Sequence, residues 1–255
     1  MSEFKADYAG ALVAPSPNHG ERVGVAGPDM IILHYTGMGT ADSALSWLCN
    51  EESQVSSHYF VFEDGRILQL VSEGQRAWHA GKSFWDGDVD INSRSVGIEI
   101  ANAGHPAGLP DFPDAQIEAV IQLCRDCAQR WSIAPEKVLG HSDIAPVRKI
   151  DPGEKFPWDT LSQHGVGHWV EAAPIGGGRF FQRGDSGQPV EALQSMLSLY
   201  GYGVEITGLY CEKTEGVVAA FQRHFRPVLV DGIADFSTID TLHRLISALP
   251  RFSGV

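Results

Sequence analysis

The sequence is short of cysteine, of long apolar runs and of positive charge. Four cysteines in 255 residues are too few for a disulfide-stapled fold. No apolar run approaches the roughly 20 residues of a membrane-spanning helix. Nineteen lysines and arginines stand against 32 aspartates and glutamates, a formal charge of -13. A protein held to nucleic acid by phosphate neutralisation, or a polybasic membrane anchor, needs the opposite balance. The first twenty residues lack the basic segment and sustained apolar stretch of a Sec leader. The expectation from that absence is a cytoplasmic protein, or a periplasmic one exported by a route other than Sec.

Hydrophobic residues make up 43%, enough to build a core. Cys124 and Cys127 form a CxxC pair, but Ile117, Val120, Ile121, Cys124, Ala128 and Trp131 recur at helical spacing. The pair therefore reads as two reduced thiols on a core-facing helix. Cys49 lies in a helical pattern without a Cys/His motif, so a cysteine peptidase has little support.

The chain divides by pattern. Residues 1–29 read as an extended, proline-punctuated lead-in. Over 30–161, short strands alternate with helices: MIILHY (30–35) and SVGIEIAN (95–102) as strands, 58–71 as a hairpin turning at Asp64-Gly65, and 41–50 and 113–131 as helices. Thr40 and Pro113 sit where those two helices begin. Residues 162–179 are glycine-rich and aperiodic, a linker. Residues 180–255 carry three amphipathic repeats, a small three-helix domain. The fold class expected is α/β, a mixed central sheet flanked by helices, followed by that C-terminal domain. The acidity is uneven: residues 1–178 hold 24 acids and 12 bases, and residues 179–255 hold 8 and 7.

Histidine is where the chemistry gathers. His34 ends the first strand, His141 opens HSDIAPVRKIDPG, and Asp151 follows ten residues later. Two imidazoles and a carboxylate suit zinc with a fourth position open, although no HExxH helix is present to fix the geometry locally. By residue type alone the plainer reading is a set of hydrogen-bonded loop residues. DGDVD (86–90) lacks the glycine and distal glutamate of an EF-hand and reads as a solvated acidic loop in a position that can bear on substrate choice.

The blocks IILHYTGM, SSHYFVFEDGRILQLV, RAWHAGKSFW, NSRSVGIEIAN and GHSDIAPVRKIDPGEKFPW occur in this order over residues 30–160. Together they closely resemble the zinc-dependent N-acetylmuramoyl-L-alanine amidases of the AmpD-like branch, which share a fold with T7 lysozyme and the peptidoglycan recognition proteins. RGDSGQPVEALQSML, TEGVVAAFQRHFRP and DGIADFSTIDTL resemble the three-helix peptidoglycan-binding domain. The resemblance implies a bacterial hydrolase that cuts the amide between N-acetylmuramic acid, 1,6-anhydro forms included, and L-alanine of the stem peptide. It implies one Zn2+ on His34, His141 and Asp151, Glu99 as proton carrier and Lys149 facing the developing oxyanion. Phage-type relatives have a tyrosine where this chain has Ser57, which leaves Glu99 alone in that role. Trp78, His79, Trp85 and Asn102 are the candidates for the substrate groove, and His58 reads as a packed, hydrogen-bonded histidine. The alternative is a non-catalytic peptidoglycan sensor of the same fold. Such relatives lose a metal ligand, and this chain keeps all three. The expected partner is peptidoglycan or a muropeptide, not nucleic acid or a membrane.

Overall fold

Period-two alternation in the central strands has to put one set of side chains under helices and the other toward the remaining face. A computed structural model of the chain, describing residues 4–178 and 180–252, shows both faces used. The strands are β1 (Ala11–Val13), β2 (His19–Glu21), β3 (Met30–Tyr35), β4 (Tyr59–Val61), β5 (Ile67–Gln69), β6 (Gln75–Ala77), β7 (Ser95–Ile100) and β8 (Val138–Gly140). The helices are α1 (Ala41–Leu48), α2 (Ile91–Arg94), α3 (Asp114–Trp131), α4 (His141–Ile144), α5 (Trp158–Gln163), α6 (Gln188–Tyr200), α7 (Glu212–Phe225) and α8 (Phe236–Ala248).

Six strands form one mixed sheet in the order β1-β5-β4-β7-β3-β8, and β2 pairs with β6 in a separate ribbon. The β3, β7 and β8 strands run parallel, and β4-β5 is the antiparallel hairpin expected at Asp64-Gly65. Ile31, Leu33, Val96, Ile98 and Ile100 pack with Ile117, Val120, Ile121, Cys124 and Cys127 of α3. Both cysteines are free and fully buried, as the helical spacing requires. Burial pushes the Cys124 thiol up to about 12, so it is an inert core group. The α1 helix is capped by Thr40, which accepts from the Ser43 amide.

Three sequence expectations need correction. The first 29 residues are not a separate lead-in: β1 extends the main sheet beside β5, β2 pairs with β6, and Arg22 donates to the carbonyls of Glu73, Ser93 and Ser95. The expected linker, residues 162–179, begins within α5, and its described part, through residue 178, contains no strand yet is not a free tether. Val166 and Ala173 are buried, the Ala173 amide donates to Thr241, and its carbonyl accepts from Ser237. The helices α6, α7 and α8 do not stand apart either. Val190, Leu197, Phe221, Leu242 and Leu245 share one apolar core with Met30, Ile32, Trp85 and Leu139 of the sheet unit. Gly201 makes this contact feasible: at φ +137° it lies against the Trp85 indole, and a β-carbon there would come within 2.6 Å of the ring. Among the described residues no helix is long and apolar enough to cross a membrane.

Candidate active site

The face of the sheet opposite α3 carries the polar residues. His34 on β3 is partnered in register with Glu99 on β7, so both side chains leave the sheet on that face. His141 begins α4 directly after β8, and Asp151 returns to it, its carbonyl accepting from the Ser142 amide at 2.9 Å. Strand ends and the loops after them bring the three residues together from 107 and 117 positions apart.

Their contact atoms form a tight triangle. His34 Nδ1 lies 2.9 Å from His141 Nδ1 and 3.1 Å from Asp151 Oδ2, and His141 Nδ1 lies 3.0 Å from the same oxygen. The hydrogen-bond network assigns the tautomers. Ser95 Oγ donates to the Ile91 carbonyl, so it accepts from His79 Nε2, leaving His79 Nδ1 to accept from His34 Nε2 at 3.0 Å. His141 Nε2 faces the Ala80 carbonyl at 3.1 Å and must donate. Both Nδ1 atoms then present lone pairs to a carboxylate oxygen. Three acceptors pointing at one spot repel one another unless a cation sits between them, and the residues present fit one.

The charges agree with that reading. Burial, then the neighbouring His141, brings the His34 imidazole down to about 4. Burial also holds His79 well below its ordinary value. Burial alone would raise Asp151, but the two imidazoles outweigh it and keep the carboxyl far below the usual range. Asp151 is therefore held as an anion and His34 as a neutral imidazole, the protonation states that ligation requires.

Glu99, His34, His79, Trp78, Lys149 and Asp151 all line one cleft of about 480 Å³. Burial, with the Asp151 charge second, raises Glu99 to about 8 against the opposing pull of Lys149. One Glu99 oxygen, Oε2, is buried without a hydrogen-bond partner. Lys149 forms no ion pair among the described residues. A larger concavity of about 1050 Å³ lies between the β4-β5 turn and α3 and holds none of these groups.

Two groove candidates are corrected. Trp85 is buried, 2% exposed, with its ring edge-on to Tyr202 at 4.9 Å, inside the contact with the helical unit. Asn102 is also outside the cleft: it accepts from the Gly104 amide and donates to the Pro110 carbonyl, organising the loop after β7. His79 lines the cleft, but its ring lies over Gly97 and its polar atoms are spent on His34 and Ser95. A β-carbon at 97 would come within 2.4 Å of that ring, so only glycine fits beneath it. His58 is packed as expected, accepting from the Gly97 amide and facing the Gln75 carbonyl. Ser57 is buried and donates to the Tyr59 carbonyl. The acidic 86–90 loop is tied to arginines: Asp88 pairs with Arg94, and Asp90 pairs with Arg76 while capping α2.

Sequence reasoning missed Arg148 and Asp143. Arg148 lines the cleft and donates to the carbonyls of Ala80 and Lys82. Asp143, in the turn that carries His141, is fully buried and accepts from the Gly140 amide, Tyr202 and His224. The signal available for Asp143 was its place two residues after a ligand candidate, in an apolar turn.

Residues 24–154 match the N-acetylmuramoyl-L-alanine amidase family profile, and residues 186–242 match a peptidoglycan binding domain profile. The chain is 41% identical over 224 residues to the N-acetylmuramoyl-L-alanine amidase AmiD of Escherichia coli, covering 82% of this chain and 79% of that protein. Its fold is similar to a structure of AmiD in complex with the substrate anhydro-N-acetylmuramic acid-L-Ala-D-gamma-Glu-L-Lys. The TM-score is 0.73 at 36% identity, over 90% of this chain and 97% of that one. AmpDH3 of Pseudomonas aeruginosa, in complex with an anhydromuramic pentapeptide, superposes with a TM-score of 0.68 at 29% identity, over 94% and 97%. A sheet-end cleft with a two-histidine, one-aspartate triangle, and sequence and fold likeness that run through both units, lead to one assignment: the chain is a member of the N-acetylmuramoyl-L-alanine amidase family.

Proposed function

We propose that this amidase cuts the bond joining N-acetylmuramic acid, in plain or 1,6-anhydro form, to L-alanine of a stem peptide, with zinc held by His34, His141 and Asp151. The observation that carries the reading is the convergence of three lone-pair donors beside an unpartnered Glu99 oxygen in one cleft. The three donor atoms lie 2.9–3.1 Å from one another, close enough for one ion to be held by all three. When bound, zinc supplies a Lewis acid that polarises a carbonyl and increases the acidity of water.

The chain's own groups would do the rest. Glu99 takes the proton of the attacking water and passes it to the departing α-amino group, a task favoured by a carboxyl poised near neutrality. Lys149, on the wall of the same cleft, offsets negative charge developing on the amide oxygen. Trp78 offers an apolar surface to the substrate. With serine at position 57 engaged by a backbone carbonyl, no second proton carrier stands at that slot. The helical unit would hold wall polymer, raising the local concentration of cleavable bonds.

The test is mass spectrometry of products from purified anhydromuropeptides and from intact sacculi, with and without chelator. Release of free stem peptide, lost on chelation and restored by zinc, is the expected result. Absence of cleavage at the lactyl-alanine amide, or cleavage indifferent to chelation, overturns it. The ratio between the two substrates ranks soluble fragments against polymer.

A further inference from the structure

The segment that carries two members of the triangle is gripped from the helical unit. Asp143 sits two residues after His141, and its two oxygens are shared out. Oδ1 accepts from the Tyr202 hydroxyl at 2.7 Å, and Oδ2 accepts from His224 Nδ1 and the Gly140 amide, both at 2.7 Å. All three side chains are buried: Asp143 0%, Tyr202 1% and His224 2% exposed. The His224 ring is itself fixed, stacked between Trp158 at 3.7 Å and Phe225 at 3.8 Å. The preceding residue of α7, Arg223, approaches Glu154 at 3.8 Å, three residues after Asp151. Helix α7 thus meets the 141–154 segment at both ends.

A buried carboxylate is costly unless its hydrogen-bonding sites are filled, and charge-assisted bonds of this length are strong and directional. The Gly140 amide alone would leave Oδ1 unpaired. The two side chains that complete the set come from beyond residue 180, where a module that only gripped polymer would have no reason to reach. Through the one-turn α4 helix the position of Asp143 dictates where His141 points, because Gly140, His141 and Asp143 belong to the same turn.

We propose that the helical unit is a working part of the amidase: Tyr202 and His224 are positioning residues that hold Asp143, and through it the ligand His141. This inference rests on the zinc reading above. Outer-shell groups of this kind alter metal affinity or turnover by roughly 10- to 100-fold.

The experiment uses the full chain and zinc alone as probe. Zinc affinity by chelator competition, the spectrum of the cobalt-substituted protein, and kcat and KM on a soluble anhydromuropeptide are compared for wild type, Tyr202→Phe, His224→Leu, His224→Asn and Tyr200→Phe. Asparagine can place an amide donor near the Nδ1 position. Tyr200 bonds His168 in the same contact region and does not touch Asp143. The expected result is that Tyr202→Phe and His224→Leu lose about 10-fold or more in zinc affinity or kcat. Their cobalt spectra should change and their KM should hold. His224→Asn should recover most of the loss, and Tyr200→Phe should match wild type. Tyr202→Phe removes a single oxygen and keeps the ring, so it remains informative if His224→Leu does not fold. Wild-type zinc affinity, spectrum and kcat in Tyr202→Phe overturn the brace while leaving the zinc reading intact. Equal losses in Tyr200→Phe also overturn it, by reducing the effect to general loosening. A wild-type chain that binds no zinc overturns both.

Discussion

His34 and Glu99 lie directly opposite each other in the parallel β3-β7 ladder. The proposed ligand and the proposed proton carrier thus sit on one rigid surface, separated by one strand spacing of about 4.8 Å at the backbone. A catalytic pair built on adjacent strands keeps its geometry better than one built on loops. His141, at the start of α4, and Asp151, in the turn beyond it, lie off the sheet, where the proposed brace from the helical unit acts.

Replacing Glu99 by glutamine is expected to lower kcat by about 10²- to 10⁴-fold, the usual range for loss of a general acid-base group. Zinc content should be unchanged, because Glu99 is not in the triangle. Metal analysis beside a turnover assay checks this, and near-normal turnover in the zinc-loaded variant removes Glu99 from its role.

The same substitution has a pH-dependent effect on stability. Glu99 titrates near 8 in the fold and near 4.5 when unfolded, so between those values the folded state binds more protons. Stability is therefore lost as pH rises through that window, by at most about 1.4 kcal/mol per unit. Metal-free Glu99→Gln is spared this loss. Urea melts from pH 5 to 8 should show its advantage over metal-free wild type widening with pH; a constant difference contradicts the shift.

His79→Leu deletes the acceptor that orients His34. Zinc affinity is expected to fall by about 10- to 100-fold, with the larger part of any activity loss recovered at high zinc concentration. Chelator competition provides the number, and unaltered affinity would show that the His79 contact is dispensable.

Trp78 and Trp85 belong to one sequence block but occupy different places, and alanine variants should separate them. Trp78→Ala is expected to raise KM with little change in melting temperature. Trp85→Ala empties a buried site between the two units and should cost about 3–5 kcal/mol, with KM for a small soluble substrate held in the surviving folded fraction. Exchange of these two outcomes would reinstate Trp85 as a cleft residue.

Burial, and then the Arg22 charge, holds His58 near 3, whereas the unfolded chain protonates it near 6.5. Below 6.5 the unfolded state gains a proton that the fold refuses, so stability falls as pH drops toward 3, by up to about 1.4 kcal/mol per unit. A His58→Gln variant, weaker at neutral pH because it loses the Gly97 bond, should show a shallower acid decline in denaturant melts. Parallel declines would place the acid sensitivity in other groups.

The sheet and α3 were legible because their signals are periodic: β3, β7 and the Asp64-Gly65 hairpin alternate, and α3 repeats at helical spacing through both buried cysteines. The β1 and β2 strands escaped because three residues carry too few alternations to register and, unlike β4 and β5, no Asp-Gly turn joins them; they form by pairing with β5 and β6. His34, His141 and Asp151 stand more than a hundred residues apart at the extremes, so no spacing rule joins them; residue type raised the set and the resemblance favoured it over hydrogen-bonded loop residues. Trp85 and Asn102 went wrong for a related reason. A tryptophan in a groove-lining block looks the same in sequence whether it faces a ligand or a neighbouring helix. What decided Trp85 was Gly201, more than a hundred residues away, opening the space into which its indole packs.

The core that joins Ile32 and Leu139 to Leu197 and Phe221 also sets how the enzyme can travel. A binding unit on a slack tether sweeps a volume, and its benefit depends on tether length. One fused to the sheet through packed side chains has a single reach. If the helices hold a wall strand as proposed above, the spacing between that strand and the bond presented to His34 and Glu99 is set by the fold, a built-in gauge against which the repeat of the polymer is matched.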